Sequence, residues 1–316
     1  MSTDSNASRR EFLIRSISLC GAAALSNPRV MTLASGPASP PPLPEMAIAR
    51  AGASGEVTSS VASRLTESAI AGLGGMQRFV SRGDVVWIKP NIGWNRKPEL
   101  AANTHPDVVS TLVRLCMDAG AKSVKVGDYT CNDARQSYEN SGIGPAAKAA
   151  GARVVFLEKD RFKKMAIGGE RLKSHPVYPE IVECDLVVNV PVCKHHSATT
   201  VTLCMKNYMG VVEKRRIFHQ DLSTTIADIT RFMKPRLCVL DATRILTAHG
   251  PTGGNIEDVK VLNTVAAGTD IVALDAFGCE LLGHKAAEIS TVARGAEYGL
   301  GRVDYRSLML RELQLP

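Results

Sequence analysis

Short β-branched runs alternate along this chain with segments whose apolar residues recur at helical spacing. VVWIK (85–89) is followed by HPDVVSTLVRLCMDAGA (105–121), with apolar residues at 108, 109, 112, 113 and 116. That is the stripe of an amphipathic helix, and Gly120 stops it. SVKVGD (123–128) reads as the next strand, IGPAAKAAG (143–151) as a short helix and ARVVFLE (152–158) as a strand. DLVVNVPV (185–192) is apolar on both faces, as a central parallel strand is. The stretch 197–207 reads as helical or loop-like, which would bring Thr199, Thr202 and Lys206 to one face if helical. LSTTIADITRFM (222–233) is a helix, RLCVLDAT (236–243) and VLNTVAAG (261–268) are strands, and DIVALDAFGCELLG (270–283) is the closing helix. The alternation predicts an α/β fold, a three-layer α/β/α domain with a mostly parallel sheet.

The amino terminus breaks this rhythm. SRREFLIRS (8–16) leads into the weakly apolar ISLCGAAALS (17–26), the order of a twin-arginine export signal. Its apolar stretch is about half the roughly 20 residues a membrane span requires. Leu19 stands where a lipidated Cys20 would have a small residue, which argues against lipidation. Residues 1–27 are therefore expected to be the signal, 28–45 a linker rich in Pro, Ser and Ala, and 46–316 a single α/β domain. The expected location is periplasmic or extracytoplasmic, the expected partner for transit is the machinery that exports folded proteins, and no stable membrane span is expected.

Charge narrows the ligand class. The formal charge is +7, and the first fifty residues hold five arginines against three acids, so five of those charges belong to the remainder. That excess is mild and scattered, and with 5% aromatic residues it gives no basic, aromatic-interleaved surface for nucleic acid. An anionic small molecule suits it. Seven cysteines follow the signal, an odd number with no CxxC, so neither a disulfide framework nor a ferredoxin-type cluster site is indicated. The export route raises the expectation of a cofactor without identifying it.

Ligands of open α/β sheets bind beyond the carboxyl ends of the strands. Here those ends are polar: Lys89-Pro90-Asn91, Asp128-Tyr129-Thr130, Lys194-His195-His196 and Asp241-Ala242-Thr243. Lys89, Lys194 and Lys206 meeting in one crevice would require a negative guest or an internal network through Asp128, Asp241 and Asp275. Asn103 or Thr104 is the expected cap of the helix that follows, with free amides behind it. The loop LTAHGPTGGN (246–255) offers glycines through which backbone N–H groups could approach a ligand, although it matches no phosphate-loop pattern. Cys193, beside Lys194 and His195, is the thiol whose neighbours would lower its pKa. A metal site is the rival reading: adjacent His195 and His196 diverge, but His195 with His105, His219 or His249 and an aspartate would make a facial triad.

VVWIKPNIGW, NTHPDVVSTLVRLCMDAGAKSVKVGD, DLVVNVPVCKHHSATTVTLCMKNYMGVV, RLCVLDATRILTAHGPTGG and VAAGTDIVALDAFGCELLG, in this order over roughly 46–285, resemble domain-of-unknown-function family 362. Some members of that family carry a ferredoxin module, which is the origin of its iron–sulfur association. The resemblance supports the domain and the grouping of Lys89, Asn91, Lys194, His195, Lys206, Asn207, Asp241 and Asp275, and it supplies no reaction. From the residues, Lys89, Lys194 and Lys206 are expected to hold an anion and Asn91 and Asn207 to orient it. His195 is the expected proton carrier, with Asp241 and Asp275 as its acid/base partners or as anchors of the lysines. The expected activity is that of an exported protein, an enzyme by preference, binding an acidic small molecule or cofactor. A metal- or iron–sulfur-linked redox protein and a non-catalytic periplasmic accessory protein are the alternatives.

Overall fold

The computed structural model describes residues 42–52 and 57–316. The expected signal and most of the expected linker fall outside them. In chain order the elements are β1 (Met46–Arg50), α1 (Ser59–Gly72), β2 (Val85–Pro90), α2 (Pro106–Asp118), β3 (Ser123–Val126), α3 (Ala134–Asn140), α4 (Ile143–Ala149) and β4 (Arg153–Val154). There follow β5 (Lys163–Ala166), β6 (Ser174–Val177), α5 (Pro179–Val182), β7 (Leu186–Val190), β8 (Val192–His196), β9 (Thr200–Thr202) and α6 (Cys204–Asn207). The last are α7 (Leu222–Met233), β10 (Leu237–Leu246), β11 (Val259–Gly268), α8 (Ile271–Leu281), α9 (Ser290–Glu297) and β12 (Leu310–Gln314).

A ten-stranded sheet runs β12-β1-β11-β10-β7-β2-β3-β4, with β8 added to β10 and β9 to β8. The β10-β7-β2-β3-β4 run is parallel, while β11 is antiparallel to both its neighbours. Pro191 cannot donate to a ladder. It separates β7, paired with β2, from β8, which continues alongside β10.

Alternation along each strand builds two separate cores, as the pleat requires. Val86 and Ile88 of β2, Ala47 and Ala49 of β1 and Val239 of β10 pack with Leu65 and Ala69 of α1 and Val109 and Leu112 of α2. Trp87, Met46, Ile48 and Leu240, their neighbours in sequence, face the opposite way and pack with Ile226 and Ile229 of α7 and Leu274 and Phe277 of α8. This is the three-layer α/β/α arrangement predicted from the periodicity.

Three local readings change. The segment 197–207 is not a continuous helix: β8 turns back on β9, with Lys194 opposite Thr202, through Thr200 at φ 63°, and one helical turn follows. Thr199 is spent on that turn, its hydroxyl donating to the Val201 carbonyl at 2.8 Å. The strand expected over 152–158 pairs only through Arg153 and Val154, being the last strand at its edge. The cap of α2 is His105, whose Nδ1 accepts from the Asp107 N–H at 3.3 Å; Thr104 instead bridges the Asn91 N–H and the Val190 carbonyl.

The β5–β6 hairpin is fastened to α7 by one carboxylate. Asp228 accepts the N–H groups of Glu170, Arg171 and Leu172 at 2.8, 2.8 and 2.9 Å. Asp228→Ala leaves three amides without their acceptor, and the expected loss is about 3 kcal/mol. Chemical denaturation reads the loss, and limited proteolysis is expected to cut first within 167–173.

Candidate functional site

The parallel strands deliver their polar ends to one place. β2 ends in Lys89 and Pro90 and is followed by Asn91; β3 is followed by Asp128 and Tyr129; and the β8–β9 hairpin carries Lys194, His196 and Thr202. Across the opening, α6 supplies Lys206 and Asn207, and the chain after it supplies Met209, Gly210 and Arg215. All of these except Lys89 and Pro90 line a cavity of about 320 Å³, which Trp94, Cys131, His219 and Pro251 also reach.

Beneath the cavity Lys89 is fully buried, its ammonium 2.7 Å from Asp128 Oδ1. It also donates to the Pro90 carbonyl at 2.8 Å and to Asn207 Oδ1 at 3.0 Å. Burial lowers the lysine's pKa, and the Asp128 carboxylate opposes that shift. The other Asp128 oxygen takes the Ile92 N–H at 2.7 Å. Gly210 makes the approach feasible: a Cβ there would lie 1.8 Å from Asp128 Oδ1 and 2.6 Å from Lys89 Nζ.

Asn207 and Asn91 transmit this fixed pair to the cavity. Asn207 Oδ1 also accepts from Asn91 Nδ2 at 3.2 Å, and Asn207 Nδ2 donates to Asn189 Oδ1 at 2.8 Å. Asn91 Oδ1 in turn accepts from Lys194 Nζ at 3.0 Å. Lys194 spends its two other N–H groups on the carbonyls of Ala102 at 2.5 Å and Pro251 at 3.2 Å. Burial first and the charge of Lys206 second bring its pKa down to about 7.

Lys206 differs. Its amine has Met209 Sδ at 3.7 Å as its hydrogen-bond partner, and among the described residues no oxygen accepts from it. Burial lowers its pKa to about 8, and the Arg215 charge acts in the same direction. Arg215 lies over the Tyr129 ring at 4.7 Å, donates to the Tyr129 carbonyl and contacts Cys131 Sγ at 3.1 Å. His196 accepts the Ala198 N–H on Nδ1 at 3.0 Å, which leaves Nε2 as the protonated nitrogen. Burial and the two lysine charges push its pKa to about 3, so it is a neutral donor at any ordinary pH. The Thr202 hydroxyl is buried and without a hydrogen-bond partner among the described residues.

The structure thus brings Asn91, Lys194, Lys206 and Asn207 to the cavity wall, with Lys89 directly behind. It does not bring His195, Asp241 or Asp275 there. His195 Nδ1 accepts the Gly250 N–H at 3.1 Å, and a Cβ on Gly250 would lie 1.9 Å from the His195 carbonyl oxygen. The 246–255 loop therefore gives its glycine amide to His195 and its Pro251 carbonyl to Lys194, in place of the amide cradle expected from its glycines. Asp241 is saturated by the His105 N–H at 2.7 Å and by the backbone and hydroxyl of Thr243 at 3.0 and 2.7 Å. Asp275 accepts the N–H groups of Cys204 and Met205 at 2.6 and 3.1 Å and so holds the start of α6. Burial pushes its carboxyl up to about 7 while those two bonds pull the other way. Cys193 is fully buried with its pKa well above 9, the opposite of the expected activation; the cavity's thiol is Cys131.

Among the described residues no group of three or more His, Cys, Asp or Glu is placed to hold a metal ion. The facial triad is not assembled: His195 is tied to Gly250, and His249 pairs with Asp258 at 2.9 Å. Also among the described residues, no helix is long and apolar enough to cross a membrane.

Sequence reasoning passed over Arg215, which sits in the charged run EKRR and reads there as solvated. It also passed over Asn189, although an asparagine inside the apolar run LVVNV was a visible signal of a buried polar partner.

Fold and site together define a three-layer α/β protein with a cation-lined cleft at the carboxyl edge of its sheet. The chain belongs to the family described as Domain of unknown function (DUF362), whose profile matches residues 86–280. It is 28% identical over 237 residues to the thylakoid-associated protein sll1697 of Synechocystis sp., the match covering 72% of each chain. The lactate racemase apoprotein of Thermoanaerobacterium thermosaccharolyticum is similar with a TM-score of 0.46 and 12% identity over 74% of this chain. This chain spans 56% of the length of that one.

Removing Asp128 tests the buried pair. Asp128→Asn strands the Lys89 ammonium, and the expected loss is about 3–5 kcal/mol in denaturant unfolding. Lys89→Met combined with Asp128→Asn is expected to recover part of that loss, because the stranded charge is gone.

Proposed function

We propose that the cavity binds an anionic small molecule and that the protein acts on it as an enzyme. One observation carries the reading. Lys194, Lys206 and Arg215 line the cavity, and its one lining carboxylate, Asp128, is already paired with Lys89. Uncompensated cations in a desolvated cleft are unfavourable, and a bound carboxylate or phosphate relieves them. Lys194 and Arg215 hold the anion, Asn91 orients it, and the Nε2–H of His196 and the Thr202 hydroxyl are neutral donors for its oxygens. Lys89, Asn207 and Asp275 are positioning residues. Export through the twin-arginine route is part of the same proposal, motivated by Arg9-Arg10 and the apolar segment after them. Replacing both arginines by lysine is expected to leave the protein in the cytoplasm in a fractionation assay; unchanged export would reject that route.

Binding of malonate, measured by titration calorimetry, tests the cavity. An amine loses its charge as pH rises through its pKa, so affinity is highest well below pH 7 and declines as pH rises through about 7 for Lys194 and about 8 for Lys206. The expected fall between about pH 6.5 and 9 is roughly tenfold or more. Lys194→Met is expected to weaken binding roughly tenfold at about pH 6.5 and to flatten the pH profile. Malonate affinity that is independent of pH and unchanged by that substitution would reject the reading.

A further inference from the structure

The three lysines are not equivalent in what their nitrogens are free to do. Lys89 donates to Asp128, Pro90 and Asn207, and Lys194 donates to Asn91, Ala102 and Pro251. Each nitrogen is surrounded by three acceptors, so neither has an open side from which to attack a guest. Lys206 lines the same cavity, and among the described residues no oxygen accepts from its amine. The buried Thr202 hydroxyl lines the same cavity and is also without a partner among the described residues. A nucleophilic nitrogen and an unused hydroxyl donor beside an anion-binding wall form the elements of a site that takes a carbonyl group.

We propose that Lys206 forms an imine with the carbonyl carbon of an anionic oxo compound, whose carboxylate or phosphate is held by Lys194 and Arg215. This deepens the anion-binding reading and rests on it. The deprotonated amine attacks the carbonyl carbon; the C–N bond forms as the C–O π bond opens, and the oxygen is received by the Thr202 hydroxyl. The carbinolamine oxygen then leaves as water, carrying one proton from the attacking amine and one taken from solvent, and the amine's other proton remains on the iminium nitrogen. One neutral amine, one carbonyl and one proton therefore give one iminium and one water, with charge conserved and no oxidant or reductant required. Burial keeps a substantial fraction of Lys206 neutral near pH 7.5, its pKa being lowered to about 8. An exposed lysine, titrating near about 10.4, is almost wholly protonated there.

The test uses the full chain with sodium cyanoborohydride at about pH 7.5. Pyruvate serves as the carboxylate probe and glycolaldehyde phosphate as the phosphate probe, with sites read by peptide mass mapping. Lys206 is expected to be labelled about tenfold or more faster than the exposed Lys285, with labelling suppressed by malonate. The probe with the larger ratio of Lys206 to Lys285 labelling identifies the anionic group, because the ratio cancels the different intrinsic reactivity of aldehyde and ketone. Lys206→Arg is expected to abolish the fast label and still to bind malonate, since the cation is kept. Labelling of Lys206 no faster than Lys285 in protein that binds malonate would overturn the imine and leave the anion site standing. Protein that does not bind malonate, and whose labelling malonate does not alter, would overturn both.

Discussion

The fully buried ammonium of Lys89 and the nearly buried carboxylate of Asp128 meet at 2.7 Å at the floor of the cleft, and the rest of the site is built outward from them. Removing both charges from water costs several kcal/mol per ion before any attraction is counted. The fold offsets this by satisfying the pair's remaining valences: the Pro90 carbonyl and Asn207 Oδ1 on the lysine, the Ile92 N–H on the aspartate. Two of these partners come from the end of β2 and the residues just after it and the third from α6, so the pair can exist only when β2, the segment after β3 and α6 are all in register. A pair of this kind contributes little net stability, but it specifies one arrangement of strand ends.

From that fixed point the order passes along amides. Asn207 reads the lysine on one side and Asn189 on the other, Asn91 reads Asn207, and Lys194 reads Asn91. Asparagine suits this chain because it offers both a donor and an acceptor from one rigid plane. Because Asp128 is consumed by Lys89, the charges of Lys194, Lys206 and Arg215 reach the cavity uncompensated. The cleft's electropositive character is thus a consequence of where the single carboxylate was placed.

The layered fold was legible because it follows from periodicity. Val86 and Ile88 against Trp87 already assign the two faces of β2, and the stripe through 108, 109, 112, 113 and 116 assigns the buried face of α2. The β8–β9 hairpin was not legible: its turn is set by Thr200 in a left-handed conformation, and threonine does not announce one. For the site, polar residues at strand ends identified Lys89, Asn91 and Lys194, since strand ends of a parallel sheet converge by topology. His195 and Asp241 have the same signature and point elsewhere. β8 alternates its faces, so of Lys194, His195 and His196 the first and third reach the cavity while the second meets Gly250. A one-residue difference in facing is decided by where Pro191 breaks the strand, and by the pairing of Lys194 with Thr202 across the hairpin. Neither is visible without the partner strand.

The position of Lys206 follows from the other expected residue that stands outside the cavity. Asp275, on α8, takes the first two amides of α6, a helix of a single turn too short to be stable alone. That anchor fixes where Lys206 and Asn207 emerge, and the two emerge with opposite fates. Asn207, next in sequence, turns to the buried Lys89 and is fully used, while Lys206 is left facing the cavity with a sulfur for company. A fold that satisfies two lysines three times each had the means to satisfy the third. Leaving its nitrogen and the Thr202 hydroxyl open, beside Arg215 Nε and the Nε2–H of His196, gathers the unspent bonding capacity of the site on the cavity wall.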